Sequence, residues 1–218
     1  YDLLRDTDGQ VTVALTELVM LDLKWWLTFM NWFNGKARIL NSDRPEWNVA
    51  SDASSKVGFG AYCEFGYTWG LWSGEGDRCE HEYHAPKEDY DYHINEKELW
   101  PVLVSLVKWG ELWRDSVVHV TTDNTQVLVV LRTGKSSNAT AMAWARELFW
   151  SSCFYNIDLR CRWIPGVDNI VADALSRLNN PDCREICAAC LPGFDVCCYR
   201  IAESDGRLGG AEGAVLGA

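Results

Sequence analysis

The order of patterned segments predicts an α/β fold, a five-stranded mixed sheet flanked by helices and preceded by a helical segment. Three observations carry that expectation. Residues 47–72 read WNVASDASSKVGFGAYCEFGYTWGLW, three short runs of β-branched and aromatic residues separated by glycine and serine. Further on, the strand-like runs SVVHVTTD and DLRCRWIP alternate with helical stretches, as βαβ units do. The composition is that of a globular chain, 48% hydrophobic and 23% charged.

Taken in order, VTVALTELVMLDLKWWLTFMNWFNGKARIL has helical spacing from about Thr12 to Phe33, with Asn34-Gly35 as a stop signal. It is apolar on most faces, which predicts packing on more than one side. The strands are expected at Trp47–Ala53, Gly58–Phe65 and Tyr67–Trp72. HINEKELWPVLVSLVKWGELW reads as one helix, N-capped by Asn95, with Glu98 closing a capping box and Pro101 near the first turn. SVVHVTTD is the fourth strand, and NTQVLVVLRTGK a short helix stopped by Gly134. ATAMAWARELFWSSCF is a longer helix, DLRCRWIP the fifth strand, and NIVADALSRL the last helix. Beyond it, residues 181–218 lose periodicity, become rich in cysteine, glycine and alanine, and predict a flexible tail.

Composition narrows the function. A net charge of −11 argues against a self-sufficient nucleic-acid gripper, which carries a basic face. Many of the acids fall in GEGDRCEHEYHAPKEDYDYH, residues 74–93, an expected exposed insertion to which no chemistry is assigned. Twelve tryptophans imply large flat side chains in the core or on a contact surface. The nine cysteines lack the spacing of a small secreted scaffold. With no signal peptide read at the start, an intracellular site, cytoplasm or nucleus, is expected. Glu17, Asp22 and Lys24 interrupt the opening apolar run, so no membrane span is expected. The first residue, Tyr1, points to an excised or processed piece. Cys183, Cys187, Cys190, Cys197 and Cys198 form no clean pair of CxxC units and no histidine follows them, so no zinc site is expected.

Four acids sit where acids are expensive. Asp52 ends an apolar strand, Asp123 ends the fourth strand, Glu98 opens a helix, and Asp173 lies early in the last helix between Ala172 and Ala174. Singly, each has an ordinary role. Asp52 suits a turn, Asp123 a helix cap, Glu98 a capping box, and Asp173 the helix dipole. Jointly they suit those roles less well. Strands one and four can be neighbours in a mixed sheet of this order, which puts Asp52 beside Asp123. Two such carboxylates repel, and no lysine or arginine nearby in sequence neutralises them. A divalent cation would, and an all-oxygen ligand set favours Mg²⁺ or Mn²⁺ over zinc.

Asp52 in SDAS followed by GFGAY, Glu98 in INEKELWPVL, Asp123 in TTDN and Asp173 in NIVADALSR together resemble the ribonuclease H domain of retroelement reverse transcriptases. The ending WIPGVDNIVADALSR is most similar to gypsy-like and DIRS-like retrotransposons. The resemblance spans roughly Trp47 to Leu178. It implies an RNase H-like domain over residues 46–180, and residues 1–45 as a helical connection segment following a polymerase domain. No Tyr-x-Asp-Asp hairpin is present, so a polymerase active site would lie outside this chain.

The activity implied is cleavage of the RNA strand of RNA/DNA hybrids during reverse transcription. The cofactors implied are two Mg²⁺ ions, for which Mn²⁺ can substitute. Asp52 would hold both, Glu98 and Asp123 one, and Asp173 the other. The partners implied are the hybrid and the polymerase domain of the same polyprotein. Small Ala53, Ser54 and Ser55 would let a phosphate backbone approach. Asn95, Asn124 and Gln126 would reach the minor groove, where 2′-hydroxyls distinguish RNA, although helix capping or plain contact with water also accounts for them. Asn169 would order the loop carrying Asp173. One departure is Trp163, at a place where cellular and retroviral relatives often carry a histidine. The rival expectations are a non-catalytic connection domain, an integrase- or resolvase-like nuclease of the same fold, and a pure interaction module.

Overall fold

The computed structural model describes residues 15–33, 43–72 and 93–194. The chain divides into two compact units, Tyr1–Leu40 and Asn41–Ala218.

In the first unit, α1 (Glu17–Trp32) starts where the Thr16 hydroxyl accepts the Val19 N–H and Glu17 meets the positive end of the dipole. Trp25 stacks on Phe29, and Phe29 on Phe33. Leu18, Leu21, Leu27 and Met30 are exposed. The expected stop at Asn34-Gly35 lies outside the described residues.

The second unit holds one sheet, built from β1 (Glu46–Ala53), β2 (Gly58–Cys63), β3 (Gly66–Leu71), β4 (Val117–Thr122) and β5 (Asp158–Trp163). Their order is β3-β2-β1-β4-β5. β1–β2 and β2–β3 pair antiparallel, whereas β1–β4 and β4–β5 pair parallel. Short turns suffice for the first two connections, and the parallel pairs need helical crossovers. The result is the expected five-stranded mixed sheet of the RNase H-like fold, with helices flanking it. These are α2 (Ile94–Lys97), α3 (Trp100–Trp109), α4 (Thr125–Thr133), α5 (Ala139–Tyr155), α6 (Ile170–Ser176) and α7 (Pro181–Cys190).

Strand alternation sends residues to two cores. Val49, Ala53, Phe59, Ala61, Val118 and Val120 meet α3 and α5 through Leu103, Leu106, Trp144 and Leu148. Tyr67 and Trp69 meet α6 and α7 through Leu175, Leu178 and Cys187. Most of the tryptophans in this unit are therefore core residues: Trp69, Trp72, Trp100, Trp109, Trp113 and Trp144 are all buried.

Two expectations are corrected. The helix read as continuous from Asn95 is two helices, capped at His93. The His93 ring accepts the Asn95 N–H, and Glu96 returns a bond to the His93 N–H, completing the capping box. Pro101 has no N–H for the Lys97 carbonyl, so the chain turns at Glu98–Leu99 before α3 begins. The tail expected to be flexible from residue 181 instead opens with α7, whose Asn180 side chain accepts the Asp182 N–H and whose Cys183 and Cys187 are buried. An i, i+4 thiol pair is an apolar stripe, and it joins the buried cluster of Leu175, Leu178, Tyr67 and Trp69. Residues 195–218 lie outside the described residues, as does the acidic insertion apart from His93. Among the described residues no helix is long and apolar enough to cross a membrane.

Candidate metal centre

The site forms where β1 and β4 end. Their parallel register runs from Glu46↔Val117 to Ala50↔Thr121. Continued two residues, it brings Asp52 abreast of Asp123. Glu98 enters from the turn that Pro101 enforces between α2 and α3. Ligand oxygens of Asp52, Glu98 and Asp123 all lie within 4.8 Å of one another, a group able to hold a metal ion.

Asp52 and Glu98 are buried, and Glu98 Oε2 has no hydrogen-bond partner. A lone buried carboxylate oxygen beside two other acids is strongly unfavourable unless it takes a proton or meets a cation. Burial first, then the neighbouring Asp52 and Asp123, push the Glu98 carboxyl up to about 9, against lowering by the Ala53 N–H and the Asn124 side chain. Asp52 rises to about 6, again chiefly through burial. The Ser176 hydroxyl opposes that rise by donating to Asp52 Oδ2 at 2.6 Å, while Asp173 and Asp123 add to it. Arg177 lowers the Asp52 carboxyl only from a distance, and a donor set of hard oxygens with no lysine or arginine bonded to it among the described contacts fits a divalent cation.

Asp173 flanks this group without belonging to it. Its Oδ1 pairs with Arg177 at 2.7 Å, one turn along α6. Burial raises its carboxyl, Arg177 lowers it, and Asp123 raises it, so the fourth acid senses the cluster electrostatically.

The expected substrate contacts divide. Ser54 is taken up by the fold. Its Oγ accepts from Val57 N and Gly58 N, at 3.0 and 2.8 Å, and lies 3.0 Å from both the Gly58 and Ser176 carbonyls. It builds the β1–β2 turn and ties it to α6, which leaves its hydroxyl no spare capacity. Ser55 is exposed, and its carbonyl accepts from Lys97 Nζ at 2.6 Å. Asn124 caps α4 by accepting from Gln126 N and Val127 N, and its amide donates to Asn95 Oδ1 at 3.3 Å. Asn95 and Gln126 line a hollow with His93, Glu96 and Asn138, and Asn124 connects Asn95 to Glu98 through its side chain. Asn169 is buried and donates to the Ser51 carbonyl at 3.0 Å, fastening the entrance of α6 to β1.

Three side chains at the site escaped the sequence reading. Ser176 and Arg177 stand three and four residues after Asp173, the spacing that shares a helix face, and that signal was available. Lys97, buried with its Nζ 5.3 Å from the centre of the Trp72 ring, carried no such signal.

No protein-family model and no curated protein matches the chain. Among solved structures it is similar to RNase H1 from the halophilic archaeon Halobacterium salinarum NRC-1, at 16% identity over 60% of this chain and 94% of that one, with a TM-score of 0.40. The fold assignment rests on the strand order and register, not on this likeness.

Proposed function

We propose that this chain is a metal-dependent ribonuclease H that cuts the RNA strand of RNA/DNA hybrids. One observation carries the proposal. Three carboxylates from separate segments converge, and one has a buried oxygen with no partner. Asp52, Glu98 and Asp123 would hold one divalent ion, with Asp52 shared by a second ion completed by Asp173. Bound there, the ions would activate a water and neutralise charge on the scissile phosphate. The water oxygen forms a bond to phosphorus as the bond to the 3′ oxygen breaks, leaving a 5′-phosphate and a 3′-hydroxyl. Asn95, Asn124 and Gln126 would sense 2′-hydroxyls.

The finer assignment is to the reverse transcriptase of a gypsy-like or DIRS-like retroelement. Residues 46–180 would be the nuclease domain and residues 1–45 the connection to a polymerase domain. The WIPGVDNIVADALSR run and the exposed apolar side chains of α1 support it.

The test is incubation with labelled RNA/DNA hybrid, duplex DNA and duplex RNA in Mg²⁺, Mn²⁺ or EDTA. A net charge of −11 disfavours phosphate binding, so low salt is used. Metal-dependent cleavage of hybrid RNA alone is expected. Duplex DNA cleavage would indicate an integrase-like nuclease, and no cleavage with any substrate a non-catalytic connection domain.

A further inference from the structure

We propose that Trp163 and Gly166 are positioning residues that clamp Asp123, one at its carbonyl and the other at its carboxylate, so that the acid is preset for cation binding. This rests on the metal-centre reading above. β4 ends at Thr122, which pairs with Trp163 and accepts the Ile164 N–H at 3.0 Å. Asp123 therefore lies past the ladder, and its carbonyl needs a donor from elsewhere. The Trp163 indole supplies it, with Nε1 donating to Asp123 O at 2.9 Å. Trp163 is 48% exposed, so burial alone does not explain an indole at this position.

Gly166 opens the 3-10 turn Gly166–Asp168 that leads into α6. It does not have the positive φ that demands glycine at Gly66 or Gly134. What it lacks is a Cβ, which would stand 2.8 Å from Asp123 Oδ2. The link from β5 to α6 thus comes closer to this carboxylate than a residue with a Cβ could without the carboxylate shifting. Groups that orient a ligand from behind commonly change metal affinity without touching the ion.

The measurement is Mn²⁺ affinity by calorimetry, alongside melting temperature in EDTA, for the parent, Trp163→Phe, Gly166→Ala and Asp123→Asn. Trp163→Phe keeps a ring and removes the donor. Gly166→Ala adds only the methyl that meets the carboxylate. Each is expected to weaken Mn²⁺ binding about 10- to 100-fold, with the EDTA melting temperature little changed. Combined with Asp123→Asn, neither should weaken binding further. Parent-like affinity in both variants overturns the proposal, as does a loss that persists in full in the Asp123→Asn background. Should Trp163→Phe fail to fold, Gly166→Ala decides alone, since its site is exposed. A parent that binds no Mn²⁺ would instead remove the metal-centre reading itself.

Discussion

Asp52 and Asp123 stand abreast two residues beyond Ala50↔Thr121, the last paired positions of β1 and β4. A strand end is where neighbouring side chains can converge, because no further ladder spaces the backbones. Neither acid has a lysine or arginine bonded to it among the contacts described, whereas Asp173 has Arg177. On the proposed function, Asp52→Asn and Asp123→Asn each lower hybrid cleavage by at least about 10²–10³-fold, the scale of losing one charge-stabilising group at a reacting centre. Single-turnover assays at saturating hybrid check this. Either variant retaining parental rates would refute the roles given to these two acids.

The same acids set a pH dependence of stability. Glu98 is raised to about 9 from 4.5, and Asp52 to about 6 from 3.8, so the folded chain holds these protons more tightly than the unfolded one. A raised carboxyl contributes stability in full below its unfolded pKa and loses it as pH climbs to the folded value. Without metal, this contribution declines between about pH 4 and 9, with Glu98 responsible above pH 6. Thermal melts in EDTA should show that decline, and Glu98→Gln should flatten its upper part. Mg²⁺ or Mn²⁺, which replaces the protons, should raise the melting temperature more at pH 8 than at pH 5. A cation effect larger at pH 5 would contradict the assignment.

Ser176→Ala removes the hydroxyl that donates to Asp52 Oδ2. Because that bond lowers the Asp52 pKa, its loss should move the acidic limb of the cleavage profile to higher pH. The rate well above that limb should fall less than in Asp52→Asn. An unmoved limb would mean that Asp52 protonation does not govern activity.

Gly60 lies opposite Asp52 in the β1–β2 ladder, and α6 rests directly on it. A Cβ there would stand 2.2 Å from Leu175 Cβ, a contact that backbone or helix must move to relieve. Gly60→Ala should destabilise the chain by about 1–3 kcal/mol, as overpacking does, and lower cleavage by displacing Ser176 and Asp173 together. Urea unfolding and the hybrid assay read the two effects. Stability and activity both equal to the parent would show that α6 is not seated on this glycine as described.

Much of this molecule is local chemistry, and local chemistry is written in the chain. Alternating runs such as SVVHVTT, the Gly134 stop of α4 and the βαβ order each depend on near neighbours, so the strand set and the mixed sheet were legible without coordinates. The acids Asp52, Glu98 and Asp123 were legible too, because a carboxylate at an apolar strand end or helix start is costly wherever the rest of the chain lies. Tertiary structure decided what depends on distant partners. It brought the Glu98 carboxylate to the ends of β1 and β4, used the Ser54 hydroxyl and the Asn169 amide N–H to tie α6 to β1, and left Asp173 with Arg177 outside the three-acid group. It also gave α7 the cluster of α6 and β3 side chains in which Cys183 and Cys187 are buried, where the bare sequence read a tail. A hydroxyl, amide or thiol carries the same letter whether it builds a turn, reads a substrate or fills a core, and only the groups brought to it by folding separate those uses.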